Sequence, residues 1–316
     1  MIYKKIEYKY FFINFWMAAN LRCCTDLLNA VERNCLGCVR IFGDDPEQHK
    51  LTNIYGQSVL HLAIMHPTLM EHLAPRMSLY INTRDFFGRP PICFITKCGI
   101  IAGKFSEILE QKIISSIKIL VKNGALINIT DNEGYSPLHH AAYNGLLNLF
   151  KCLINLGAIH SKTNLGKNIL HLSVQSINED LTKYILENAL ILNVDQIHDQ
   201  TLKGTTTLHH ACSSDYPQHF LLLSAENIHE NINKKDTDGL TPLMTAIDYH
   251  NYMYGSLVGN PDYPNKYAEI VNFLLINGAD TGIKDNKGMT ALDYARVSNN
   301  PEIIKLLTEH QDLPPY

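Results

Sequence analysis

The sequence predicts an all-α chain, a solenoid of short helical hairpins stacked one on the next, and three observations predict it. A turn glycine recurs at Gly56, Gly88, Gly134, Gly166, Gly204, Gly239 and Gly288, with successive spacings of 32, 46, 32, 38, 35 and 49 residues. Two to five places after each glycine a phrase repeats: SVLH from Ser58, PPIC from Pro90, SPLH from Ser136, NILH from Asn168, TTLH from Thr206, TPLM from Thr241 and TALD from Thr290. Several units also close on a Gly-Ala pair, at Gly124-Ala125, Gly157-Ala158 and Gly278-Ala279.

The stretch from Asp131 to Ala158 holds one complete unit. Asp131 to Gly134 has the Asp-x-x-Gly composition of a tight turn, and Gly134 can take the positive φ that a side chain would penalise. Ser136-Pro137 then starts a helix: the serine hydroxyl caps orphan amides, and proline sits where a missing N–H costs nothing. Asn144-Gly145 breaks that helix, and a second one begins at Leu146, with Leu149, Cys152, Leu153 and Leu156 spaced to share one face and Gly157 as its left-handed cap. Neither helix is long enough to stand alone.

Repeated seven times in phase, this pattern resembles the ankyrin-repeat family, with its period of about 33 residues and T-P-L-H-x-A signature. The resemblance covers roughly residues 26–310 and implies about seven repeats behind an N-terminal cap. The cap falls at 26–48 and the repeats near 49–82, 83–126, 127–160, 161–198, 199–233, 234–282 and 283–310. Residues 1–25 read as an irregular extension and 311–316 as a tail.

Composition agrees. A solenoid escapes the usual limit on core size because each unit packs only on its neighbours, so one elongated domain is the expected count for 316 residues. A hydrophobic content of 46% supplies a continuous core, and a charged content of 18% is that of a folded chain. A net charge of -4 with a pI near 6.4 gives no basic footprint, so nucleic acid is not an expected partner.

In chain order, MIYKKIEYKYFFINFW has lysines and aromatics without repeat register; its apolar run is too short to span a bilayer, no membrane insertion is expected, and Met17 offers a second start. Residues 26–48 read as a divergent helix pair. Cys35 and Cys38 fall in it, with Cys23 and Cys24 just before, so a CC…CxxC zinc site has to be weighed. Alignment to the other units places Cys35 at the start of a second helix and Cys38 on its buried side, which favours small buried thiols, and no metal is expected. The remaining cysteines are scattered and form no disulfide framework.

The unit at Gly88 carries 13 extra residues around 99–112, expected as an exposed loop or a lengthened helix. A long finger runs from Leu190 to Lys203. The unit at Gly239 carries 16 extra residues near 250–265; glycine, proline and asparagine predict a loop, and Tyr252, Tyr254 and Tyr263 make it a candidate binding loop. The last unit ends NNPEIIKLLTEH, and no docking box follows His310.

No catalytic set is expected. The adjacent pairs His139-His140 and His209-His210 point about 100° apart on a helix and share a metal poorly. His61, His139, His171 and His209 occupy the signature position of the resembled family, where histidine ties the turn together. No Gly-rich phosphate loop, nucleophile elbow or kinase-like set is present in the sequence, so neither an enzyme nor a cofactor is predicted. What the resemblance implies instead is a concave binding groove lined by fingers and first-helix ends. Ile54, Tyr55, Phe86, Phe87, Tyr135 and Tyr143 form the candidate patch, with Arg89 at its edge; Leu165, Lys167 and Lys203 lie further along. The expected role is non-catalytic binding of another protein by a monomer in the cytoplasm and nucleus, as scaffold, adaptor or sequestering inhibitor. The alternative is the substrate-recognition subunit of a larger enzyme complex such as a ubiquitin ligase.

Overall fold

The computed structural model describes residues 23–95, 100–101, 104–105, 107–189, 192, 199–214, 218–224, 230–256, 264–297 and 300–311. Backbone contacts gather the chain into two compact units, one of Met1–Ile101 with Phe105–Asn132 and one of Ala102–Lys104 with Glu133–Tyr316.

The first unit opens with the helix pair Leu27–Glu32 and Leu36–Phe42. Asp26 caps the first helix, its Oδ1 accepting from the Asn29 amide at 2.8 Å. That helix ends in a reversal at Asn34, which has φ 51°: the Asn34 N–H donates to Val31 O at 2.9 Å and the Cys35 N–H to Ala30 O at 2.8 Å, the paired bonds of a Schellman ending. Val59–Leu62, continued by a 3₁₀ turn Ala63–Met65, and Pro67–Leu73 form the next pair. In the third, Pro90 stands at the cap position without a side chain that can cap, and the 3₁₀ turn Pro91–Cys93 takes the place of a first helix. Its second helix, Glu107–Lys122, is long, and Ile113, Ile117 and Leu120 are buried where it packs on Pro67–Leu73.

The two-residue strands Ile100–Ile101 and Lys104–Phe105 pair with each other, and with two isolated bridges they are the only β-structure among the described residues. The expected insert at 99–112 is thus part strand pair and part lengthened helix.

The second unit carries the helix pairs Pro137–Tyr143 with Leu147–Asn155, Ile169–Ser173 with Glu179–Glu187, Thr207–Cys212 with Gln218–Ser224, Pro242–Ser256 with Pro264–Ile276, and Ala291–Val297 with Pro301–Gln311. First helices stack on first helices and second on second: Pro137–Tyr143 lies on Ile169–Ser173, Pro242–Ser256 on Ala291–Val297, and Pro264–Ile276 on Pro301–Gln311. The fold is the all-α ankyrin arrangement that the punctuation predicts. In Leu147–Asn155 the buried set is Leu149, Phe150 and Leu153, while Cys152 and Leu156 are half-covered; the Phe150 ring meets the Tyr184 ring of the next helix pair edge-on at 6.2 Å, so the buried face is turned toward Phe150.

The loop expected near 250–265 needs correcting. The helix that starts at Pro242 continues to Ser256, through the positions of Tyr252 and Tyr254, because once propagating a helix gains a bond per residue that Asn251 or Gly255 does not offset. Tyr263 lies outside the described residues, as does most of the finger 190–203.

Candidate partner-binding surface

Each finger is a tight turn held by one side chain. Asp85 Oδ1 accepts from the amides of Phe87 and Arg89, both at 2.9 Å, and Asp236 holds the amides of Asp238 and Leu240 in the same way at 2.9 Å. The chain then reverses through the turn glycine, at φ between 71° and 84° in all seven units, a conformation that costs any other L-residue.

Successive fingertips are joined by one backbone hydrogen bond each. In the first unit the Phe86 N–H donates to Tyr55 O at 3.1 Å and the Asn132 N–H to Phe87 O at 3.4 Å. In the second, Asn164 donates to Glu133 O at 3.0 Å, Leu202 to Leu165 O at 2.9 Å, Thr237 to Lys203 O at 2.9 Å and Asn286 to Asp238 O at 3.0 Å. The donor is always two residues before a turn glycine and the acceptor one residue before the preceding one.

Behind the fingers, the signature histidines do two jobs. The Ser58, Ser136 and Thr206 amides donate to Nδ1 of His61, His139 and His209 at 3.0, 3.1 and 3.2 Å, closing capping boxes at the helix starts. That fixes the tautomer, and the Nε2–H groups donate to Arg89 O at 2.8 Å, Ser161 O at 2.9 Å and Leu240 O at 3.0 Å, tying each unit to the next. Cys93 takes this position in the proline-distorted unit and keeps a weak form of the tie, its thiol donating to Ile129 O at 3.6 Å. His171 closes its box with Asn168, but its buried Nε2 makes no full hydrogen bond; the carbonyls of Thr205 and Asp199 only face it. Burial pushes the His61, His171 and His209 imidazoles below the ordinary histidine value, His171 to about 4.

On this frame the first unit displays Ile54, which is 83% exposed, and Phe86, 74% exposed, beside the exposed Tyr55 and Phe87. The Phe86 ring rests on the Gly56 turn, where an added Cβ would come within 2.6 Å of it, and its other face is open. Arg89 does not rim the patch as a free cation. Its guanidinium donates twice to the Asp85 carboxylate, at 2.9 and 2.6 Å, lies 4.6 Å from the Phe87 ring centroid, and is largely covered. It is the clamp that holds Phe87 in place, and its charge is spent on Asp85.

Tyr135 and Tyr143 belong to the second unit. Tyr143 is exposed at the end of its helix, and the Tyr135 ring is half-buried, stacked on His140 at 5.5 Å. Sequence reading missed Leu202, 72% exposed, which with Leu165 gives the second unit its own apolar fingertips. Its register was visible: Leu202, like Ile54 and Phe86, stands two residues before a turn glycine.

The expectation of separate buried thiols in the cap also needs correcting. Cys35 does stand at a helix start and Cys38 is buried, but residues 23–24 fold back on them, and the four Sγ atoms of Cys23, Cys24, Cys35 and Cys38 lie within 4.8 Å of one another.

A family model described as "Ankyrin repeats (3 copies)" matches residues 108–196, and one described as "Ankyrin repeat" matches residues 238–286. Protein glp-1 of Caenorhabditis elegans is 25% identical over 201 residues, 60% of this chain and 14% of the relative. The E3 ubiquitin-protein ligase KEG of Arabidopsis thaliana is 26% identical over 268 residues, 81% of this chain and 15% of the relative. A putative ankyrin repeat protein of fowlpox virus is 28% identical over 209 residues, 64% of this chain and 45% of the relative. The chain thus spans between 14% and 45% of the length of these relatives. No helix among the described residues is long and apolar enough to cross a membrane. With turn glycines, histidine capping boxes and inter-finger bonds recurring in phase, and two ankyrin-repeat family models matching residues 108–196 and 238–286, the chain is an ankyrin-repeat protein.

Proposed function

We propose that this chain is a non-catalytic, monomeric binding module that recognises a partner protein through the apolar fingertips of its first unit. One observation carries the reading: Ile54, Tyr55, Phe86 and Phe87 are all exposed on two fingers joined by a backbone hydrogen bond. Large apolar side chains grouped in water are a standing solvation cost that a partner relieves, and aromatic anchors are where binding energy concentrates. The turns are preorganised by Asp85 and Arg89, so little freedom is lost on docking. Because Arg89 is engaged by Asp85, the surface selects an apolar segment rather than an acidic one. Scaffolding, adaptation and sequestration in cytoplasm or nucleus all follow from this recognition. The similarity to a ubiquitin-protein ligase supports a second reading, in which the same fingertips choose substrates for a larger enzyme complex.

The test is quantitative affinity capture with the intact chain, an Ile54→Ser/Phe86→Ser variant, and a Leu202→Ser variant as the second-unit control, after circular dichroism shows equal helicity and melting. A partner that the double variant loses by about 30-fold or more, and the control keeps, supports the reading; that factor corresponds to a hot spot of about 2 kcal/mol. Equal retention by the intact chain and the double variant overturns it.

A further inference from the structure

We propose that Cys23, Cys24, Cys35 and Cys38 form a structural zinc site that staples residues 23–24 to the helix Leu36–Phe42. Four of the chain's eight cysteines fall within this short stretch, and their sulfur atoms converge. Cys23 Sγ lies 3.5 Å from Cys24 Sγ, 3.3 Å from Cys35 Sγ and 3.5 Å from Cys38 Sγ, and all four are within 4.8 Å of one another. A tetrahedral zinc–thiolate centre with bonds of about 2.3 Å needs sulfurs about 3.8 Å apart, which lies inside that range. One sulfur near-equidistant from three others is the arrangement of a shared centre. Two disulfides would instead require two separate pairs.

The backbone supports the convergence from three sides. The Schellman ending at Asn34 delivers Cys35 to the N-cap of the second helix, and Cys38 follows one turn in, the C-x-x-C spacing that lets two thiolates take one metal. The Arg33 guanidinium donates to Cys23 O at 2.5 Å, which fixes residue 23 beside the helix and brings a cation near the two net negative charges of a zinc tetrathiolate. Cys24 and Cys38 are buried while Cys23 is exposed, so the centre has a packed floor and an open side by which a metal enters. Four soft donors with no carboxylate or imidazole among them select zinc over magnesium or calcium. Each thiol loses its proton as its sulfur bonds the metal, and no electron is transferred.

The full chain, prepared with a non-chelating reductant and dialysed against metal-free buffer, is analysed for metals and then titrated with cobalt. The expected result is one zinc per chain, replaced by cobalt with the visible bands and sulfur charge-transfer absorption of a tetrahedral thiolate site. Cys23→Ser, at an exposed position that leaves the fold intact, weakens zinc in chelator competition by at least the roughly 10- to 100-fold that loss of even an outer-shell partner costs a metal site. Cys152→Ser, a control outside the cluster, retains full affinity. The inference fails if the wild-type chain holds no stoichiometric zinc and all four thiols react freely, if it holds iron instead, or if mass spectrometry of the reductant-treated protein finds a disulfide among the four. Should a variant not fold, the zinc content and cobalt spectrum of the wild-type chain decide the matter.

Discussion

Mild acid should destabilise this protein through its buried histidines, and His171 is the site at which the effect can be worked out. Its side chain is fully buried, its Nε2 lacks a full hydrogen bond, and burial lowers its pKa from the ordinary 6.5 to about 4. As pH falls below about 6.5, the unfolded chain takes up a proton that the folded chain refuses until about pH 4, so the unfolded state binds more protons and stability falls with pH. Each pH unit in that window is worth about 1.4 kcal/mol, so His171 alone removes about 2 kcal/mol by pH 5 and about 3 kcal/mol by pH 4. His61, His209 and His219 are shifted down by the same cause and add with the same sign. Asp44 and Asp293 are also held low, but they act below the ordinary carboxylate range, and comparison of wild type with a His171 variant cancels every contribution other than that of His171. Urea unfolding followed by circular dichroism at pH 6.5 and 5.0, on wild type and His171→Gln, measures the difference, and the His171 imidazole resonance reports the site directly. The reasoning is refuted if wild type and variant share one pH dependence, or if that resonance titrates near 6.5.

Further perturbations separate the remaining contributions. Asp85→Ala removes the carboxylate that holds the Arg89 guanidinium and two turn amides and should cost about 3 kcal/mol, whereas Asp85→Asn, which keeps an acceptor for the amides, should cost clearly less by urea midpoint. Gly134→Ala and Gly157→Ala both force a side chain to positive φ, about 1 kcal/mol, but only at Gly134 would the new Cβ meet a backbone atom, Asn164 N at 2.6 Å; the first variant should therefore melt measurably below the second. Ser136→Ala removes half of a capping box and should cost about 1 kcal/mol, read as faster hydrogen exchange in the helix Pro137–Tyr143.

Much of this fold was legible because its determinants are local. Gly134, Ser136-Pro137 and His139 lie within six residues and each makes the bond that its chemistry suggests, so the unit could be read from one stretch and counted along the chain. Which side chains meet one another was less legible. Arg89 falls at the edge of the patch by register, but its guanidinium is held by Asp85 on the same finger, a pairing that the motif does not specify. The stacking of the Tyr135 ring on His140 is likewise not given by the repeat motif. Alignment to the other repeats places Cys35 and Cys38 on the helix Leu36–Phe42 and says nothing of where residues 23–24 return. Asn251 and Gly255 are loop formers in isolation and helical here, since context outweighs propensity once a helix has begun.

The bond between neighbouring fingertips has a consequence for how such a chain changes over time. Its donor and acceptor are the same backbone atoms at every step, so no unit carries a joint peculiar to itself. Excising the 32 residues from Gly134 to Leu165, or copying them, would bring together an amide and a carbonyl that already fit. Recognition surfaces on this frame can therefore be lengthened, shortened or shuffled by whole repeats. The side chains displayed are then free to diverge, since the ruler that spaces them is written in the main chain.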